Sequence, residues 1–238
     1  MATTNFEVFV SKDTFKFNAA HFVAFHGYRE RLHGHNYQVG VRLLGKRQIG
    51  ADGYVIDFGN IKAVCKKVCK SLNEHFLCPI HSNVLSIAEE DGQVKIECQD
   101  QSVFSFPRSD CAMLPLVHAT TEELSIFLWN EILSGLNAEY LLQRGIHTME
   151  VTVAEAPGQS ATFRWEIPTE APALDVREFI TTGKVIPMPC VEEKMACCPN
   201  CESRSKLSDQ LAALAEAINE GTINKGTVTV DDIQKLIS

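Results

Sequence analysis

The densest chemistry in this 238-residue chain lies in Leu32-His33-Gly34-His35-Asn36-Tyr37. Side chains alternate faces along a strand, so two histidines separated by one residue point the same way. That parity groups His33, His35, Tyr37, Val39, Val41 and Leu43 on one face, and Gly34, Asn36, Gln38, Gly40 and Arg42 on the other. Upstream, Phe15, Phe17, Ala19 and His21 share a face that again ends in histidine. Three neutral imidazoles with an open fourth position suit a catalytic zinc ion, and the same donors also suit iron or cobalt. The alternative is three core histidines, each hydrogen-bonded to backbone; the His-x-His pair on an apolar stripe favours metal. A second break in pattern falls at Glu155, which continues the face of Met149, Val151 and Val153. An unpaired buried carboxylate is costly. Glu155 is therefore either solvated at a strand end or a ligand anchor that accepts paired hydrogen bonds from adjacent N–H donors.

These residues need a sheet to carry them. Phe6 to Ser11 and Thr14 to Phe22 read as two strands, His33 to Leu44 as a third and Gly53 to Phe58 as a short fourth. Ile61, Val64, Cys65, Val68 and Leu72 recur at helical spacing, with Lys62, Lys66, Lys67 and Lys70 opposite, so Cys65 and Cys69 read as packing residues. Residues 84 to 106 read as an inserted β-hairpin reversing at Glu90-Asp91-Gly92. A second helix follows Ala119: Thr120 and Glu123 make a capping box, Leu124, Phe127, Leu128 and Ile132 an apolar face, and Gly135 a stop. His147 to Glu155 and Ala161 to Ile167 read as a closing strand pair. The expected class is α+β, a sheet packed by helices.

Hydrophobic residues at 45% and charged residues at 22% supply a core without disulfides. No apolar run reaches the ~18 residues of a membrane span. The opening MATTNFEVFVSKD lacks the basic-then-apolar pattern of a signal peptide. A net charge of −8 argues against nucleic-acid partners. Nine cysteines, an odd number scattered through the chain, fit free thiols in a reducing compartment, and a cytoplasmic protein is expected. Residues 1–167 read as one domain, 168–205 as a poorly packed linker and 206–238 as a helical appendage. Cys190, Cys197, Cys198 and Cys201 read as thiols of a flexible tail rather than a zinc site, since standard spacing is lacking. His26, His81, His118 and His147 have no companions.

Phe17-Asn-Ala-Ala-His21, His33-Gly-His-Asn-Tyr37, Gly53-Tyr-Val-Ile-Asp-Phe58, Thr120-Thr-Glu122 and the late Glu155 stand in that order. Together they resemble the 6-pyruvoyl-tetrahydropterin synthase family, which also includes 6-carboxy-tetrahydropterin synthases, over residues 6 to 167. The resemblance implies the tunnelling fold (T-fold): a four-stranded antiparallel sheet with two helices on one face, assembled as homo-oligomers, trimers or hexamers, with active sites between subunits. It implies zinc on His21, His33 and His35, a pterin anchored by Glu155, and Thr120, Thr121 and Glu122 helping to hold it. The family substrate is 7,8-dihydroneopterin triphosphate, and the parent reaction expels triphosphate.

Two departures bear on activity. The parent enzymes carry a catalytic cysteine shortly before His-Gly-His; here Tyr28-Arg-Glu-Arg-Leu32 fills that space, and Glu30 is the nearest acid/base. One branch, typified by malaria parasites, resembles this chain in having glutamate there, and cleaves the side chain to 6-hydroxymethyl-7,8-dihydropterin, a folate precursor. The family's Asp-His pair has a Leu-Asp-His context, whereas this chain reads Leu72-Asn73-Glu74-His75. Either His75 takes the role from a shifted position beside Glu74, or that relay is absent and His75 merely caps a helix. Arg29 and Arg31 either help neutralise a triphosphate or pair on the surface. Side-chain cleavage with Glu30 as acid/base is the preferred expectation. Triphosphate elimination, as in tetrahydrobiopterin biosynthesis, is the enzymatic alternative, and a non-catalytic pterin- and zinc-binding module is the third reading.

Overall fold

The computed structural model describes residues 4–169 and 173–181. Its first strand, β1 (Phe6–His21), is continuous where two strands are expected. The expected gap survives inside it as a bulge: β1 takes five steps from Ser11 to Lys16, while its partner takes two from Gly40 to Gln38. The odd surplus reverses the alternation of faces. Val8 and Val10 are buried before it, and Phe15, Phe17 and Ala19 after it, all in one core. A small hairpin follows, β2 (Ala24–Phe25) and β3 (Tyr28–Arg29), turning at Gly27 with φ of +77°. β4 (His33–Gly45) then returns antiparallel to β1 and brings His33 opposite His21.

The expected strand from Gly53 to Phe58 is absent: Phe58 opens a helix, and Gly53 to Asp57 is irregular chain. Arg144 occupies its backbone instead, donating from Nε to the Val55 carbonyl at 2.9 Å and from Nη1 to Asp52 Oδ2 at 2.9 Å. Asp57 serves as N-cap of α1 (Phe58–Leu72), accepting from the Gly59 N–H at 2.7 Å. Ile61, Cys65, Val68, Cys69 and Leu72 are its buried face, as the spacing predicts.

The next strand, β5 (His75–Pro79), was not expected; it runs parallel to the end of β1. The insertion is a three-stranded sheet rather than a hairpin: β6 (Leu85–Glu90), β7 (Gln93–Cys98) and β8 (Val103–Pro107). Its first reversal does use Asp91-Gly92, with φ of +50° and +73°. Val94, Ile96 and Cys98 turn inward onto Phe22, Ala24 and Phe76, forming a second core. β9 (Cys111–Leu114) then pairs parallel with β5.

α2 (Thr121–Leu136) passes through Gly135, so that glycine is no stop. The helix ends at Asn137, which takes φ of +69° and leads into a short α3 (Ala138–Gln143). Gly135 instead lets α1 and α2 approach: a Cβ there would stand 2.6 Å from Val64 Cγ1. Alanine gains about 1 kcal/mol in helix propensity, but overpacking costs roughly 1–3 kcal/mol. Gly135→Ala is therefore expected to lower the thermal midpoint, and Val64→Ala in the same chain to restore it; a Gly135→Ala protein as stable as the parent would refute the contact.

β10 (Ile146–Ala156) and β11 (Gln159–Glu166) complete the main sheet, in the order β11-β10-β4-β1-β5-β9. The expected four-stranded antiparallel sheet is present, extended at one edge by two parallel strands. α1 and α2 pack on the face that buries Tyr37, Val39, Val41, Leu43, Met149, Val151 and Val153. The opposite face carries a charged row in which Glu150, 5% exposed, lies between Arg42 at 3.3 Å and Arg164 at 2.7 Å. Residues 173–181, expected within a poorly packed linker, lie on the main core: Val176 is buried, Leu174, Phe179 and Ile180 pack beside it, and Asn130 exchanges two hydrogen bonds with Leu174. The expected Cys-rich tail and helical stripes after residue 205 lie outside the described residues.

Candidate active site

The end of the β1–β4 pair brings three rings together. The ligand-capable nitrogens of His21, His33 and His35 all lie within 4.8 Å of one another. His21 Nδ1 is 2.6 Å from the Ala119 carbonyl, and His33 Nδ1 is 2.8 Å from the Arg31 carbonyl. A carbonyl only accepts, so Nδ1 carries the proton in both rings and Nε2 keeps its lone pair. His21 Nε2 is buried without a protein partner. Burial is the main cause that holds the His21 pKa below its ordinary 6.5, so this ring is neutral at pH 7. An orphaned buried lone pair beside two further imidazoles fits a zinc ion.

The loop behind His21 is fixed by Glu123. Only half of the capping box forms: Thr120 Oγ1 accepts from the Glu123 N–H at 3.4 Å. The Glu123 carboxylate turns away to accept from the N–H groups of Val117 and His118 at 2.8 and 2.9 Å, with His118 Nδ1 at 2.7 Å. His118 therefore has a companion, contrary to expectation. Glu123 is 6% exposed, and the next residue of the loop it organises is Ala119, whose carbonyl orients His21.

Glu155 lies beside the triangle, half-buried, with Oε2 3.9 Å from His35 Nε2. The β10–β11 register slips between Ala154 and Ala156, so Glu155 sits at a bulge rather than in the regular ladder. Glu30 is held at the end of the β2–β3 hairpin: Oε2 accepts from the Val23 N–H at 3.0 Å, while the Glu30 N–H donates to the Val23 carbonyl at 2.9 Å. Its charge opposes the fall of the His21 pKa, so the carboxylate lies within electrostatic range of that ring. Tyr37, missed as a candidate, is fully buried with its ring 5.6 Å from that of His35 and its hydroxyl without a partner. Burial, with the charges of Glu155 and Glu30 adding, raises its pKa and keeps the phenol protonated. Its parity with His35 was the available signal.

Thr120, Thr121 and Glu122 begin immediately after Ala119. Thr120 and Glu122 line a cavity of about 590 Å³ with Thr162, Phe163, Val176 and Phe179. Thr121 Oγ1 donates to Glu122 Oε2 at 3.2 Å. No hydrogen bond among the described residues joins Glu74 or His75 to the triangle. His75 opens β5 rather than capping a helix, and its Nδ1 is 2.7 Å from the Asn73 carbonyl. Both line an open cavity of about 490 Å³ that His35 also lines, with Ala19, Ala20 and Gly34, and His75 stands opposite Ala19 in the β1–β5 pairing. Arg29 takes the second of its two expected parts and pairs with Asp100 at 2.8 Å.

Fold and site together define a tunnelling-fold protein with a three-histidine centre. The chain belongs to the 6-pyruvoyl tetrahydropterin synthase family, whose model matches residues 10–166. It is a pterin-synthase-family enzyme, and membership implies a lyase acting on pterin triphosphates. A Methanocaldococcus jannaschii protein, provisionally assigned as a 6-carboxy-5,6,7,8-tetrahydropterin synthase, is 32% identical over 149 residues, covering 63% of this chain and 89% of its own. The crystal structure of 6-pyruvoyl tetrahydropterin synthase from Plasmodium vivax is 46% identical, with a TM-score of 0.66 over 68% of this chain and 98% of that one. The Plasmodium falciparum counterpart is 42% identical, with a TM-score of 0.67 over 69% and 100%. Two further vivax structures carry alanine or cysteine in place of a glutamate described as a catalytic residue. No helix among the described residues is long and apolar enough to cross a membrane.

Proposed function

We propose that this protein is a zinc-dependent, cytoplasmic enzyme that converts 7,8-dihydroneopterin triphosphate to 6-hydroxymethyl-7,8-dihydropterin, a folate precursor. The observation that carries the proposal is Glu30, a carboxylate held beside three convergent histidines where the parent enzymes have cysteine. The catalytic glutamate of the vivax relative supports it. Zinc on His21, His33 and His35 would supply Lewis acidity to the side-chain hydroxyls. Glu30 takes the proton of the second side-chain hydroxyl and returns one to the first carbon as the bond between those carbons breaks. The electron pair of that bond is delocalised into the reduced ring until the returned proton captures it at the first carbon, and the triphosphate departs on a two-carbon aldehyde. Glu155 accepts from the pterin N–H donors, and Thr120, Thr121 and Glu122 flank the ring. His75, which shares a cavity with His35, and its neighbour Glu74 are the further acid/base candidates, and the enzyme works as a homo-oligomer.

The test is incubation of zinc-loaded protein with 7,8-dihydroneopterin triphosphate and chromatographic identification of the product. The hydroxymethyl pterin supports the proposal, and a 6-pyruvoyl product replaces it with triphosphate elimination. Unchanged substrate, with zinc confirmed, means a non-catalytic pterin-binding module. The loop behind His21 adds a prediction independent of turnover. Residues that orient a ligand histidine contribute about 10- to 100-fold in metal affinity. Glu123→Ala is expected to lose that much zinc affinity in a chelator competition, and Glu123→Gln, which keeps one acceptor, less.

A further inference from the structure

The three-stranded insertion is the largest element that the pterin chemistry leaves unexplained. Its apolar side covers Phe22 and Ala24, which lead into the β2–β3 hairpin, and its polar tip grips the hairpin itself. The tip is the turn between β7 and β8, from Gln99 to Ser102. Gln101 takes φ of +66° there, and Asp100 Oδ1 accepts from the Ser102 N–H at 3.1 Å. From this turn, Gln99 Oε1 accepts from the Gly27 N–H at 3.2 Å.

Arg29 spans the two parts. Nε donates to Asp100 Oδ2 at 2.8 Å and Nη2 to Ser102 Oγ at 2.9 Å. Nη1 donates back to the carbonyl of Glu30 at 2.8 Å. The guanidinium also lies 5.8 Å from the Phe22 ring centroid and 5.4 Å from that of Phe104, one ring from each part. The planar fork thus satisfies three acceptors while stacking, which a lysine ammonium does not reproduce. One of those acceptors is the backbone carbonyl of Glu30, the residue whose carboxylate accepts from the Val23 N–H.

We propose that Arg29 is a positioning residue, and that the insertion acts through it to fix the Glu30 carboxylate against the Val23 N–H and toward the metal centre. The inference rests on the assignment of Glu30 made above. It gives the insertion a role within its own chain's active site: a rigid backing for the hairpin of only eight residues that runs from Val23 through Glu30.

The experiment compares Arg29→Ala, Arg29→Lys and the paired variant Asp100→Asn/Ser102→Ala with the parent chain. Amide hydrogen exchange at Val23 reads the Glu30 carboxylate directly, without reference to activity. Exchange there is expected to rise at least tenfold in Arg29→Ala and in the paired variant, with Arg29→Lys failing to restore it. Zinc content and thermal midpoint should stay close to those of the parent. Displacing a catalytic group by about an ångström costs on the order of 100-fold in rate, so kcat should fall by that order while KM stays within a few-fold. In a Glu30→Gln background the same Arg29 change should have no further effect on kcat. Unaltered exchange at Val23 overturns the proposal, as does an effect on kcat that persists in full without the Glu30 carboxylate. Raised exchange together with an undiminished kcat in Glu30→Gln leaves the positioning role standing and overturns the catalytic assignment of Glu30 instead. The paired variant changes only the insertion, so the proposal stays testable even if Arg29→Ala does not fold.

Discussion

His33→Ala is expected to strip zinc from the protein while leaving the fold in place. Of the three rings, His33 is the exposed one, so its loss opens no cavity in the core. His21→Ala would instead orphan the Ala119 carbonyl and hollow out a buried position. Structural zinc sites yield roughly 10–16 kcal/mol on binding, so losing one ligand in three removes on the order of 4 kcal/mol, about a thousandfold in affinity. Metal analysis after dialysis should then find little zinc in the variant and close to one equivalent per chain in the parent. Adding zinc should raise the thermal midpoint of the parent alone, because ligand that binds only the folded state stabilises it by mass action. A variant that holds zinc as tightly as the parent would show that the triangle is not the metal site.

Glu30→Gln should produce the second large effect, on turnover rather than on metal. Glutamine keeps the shape and an oxygen that can still accept from the Val23 N–H, so the hairpin remains closed. It cannot take up a proton, and general acid–base groups contribute typically 10²–10⁴-fold. Formation of 6-hydroxymethyl-7,8-dihydropterin should fall by that factor with zinc content unchanged. Glu30→Cys should divert the residual product toward the 6-pyruvoyl compound. A Glu30→Gln enzyme with the parental rate would remove Glu30 from the chemistry.

What could be read from sequence was whatever repeats with a short period. The alternation of faces on β4 groups His33 and His35, and the apolar spacing of α1 and most of α2 is visible without coordinates. Contacts between distant segments are not periodic, and they were lost. β5 and β9 join the sheet by parallel pairing over a few residues each, with nothing in their own sequence to announce it. Gly135 resembles a helix stop until Val64 of the other helix is seen beside it. Glu123 has the spacing of a capping-box partner, yet two N–H groups and an imidazole in the preceding loop outcompete the N-cap amide for its carboxylate. Within the candidate site, strand parity drew attention to the histidines and Glu155, and the family resemblance to Glu30. It did not disclose Tyr37, which reads as one more aromatic core residue, or Arg29, whose partners lie about seventy residues away.

The bulge in β1 also sets a rule for how this chain can change length. His21 faces inward only because the surplus between Ser11 and Lys16 is odd. Adding or deleting one residue in that stretch would either turn the histidine end of the strand outward or expose Val8 and Val10. Adding or deleting two would leave both halves facing as they do. Viable length variation between Ser11 and Lys16 should therefore come in pairs of residues, a parity constraint imposed on an exposed bulge by the histidine cluster at the far end of the strand.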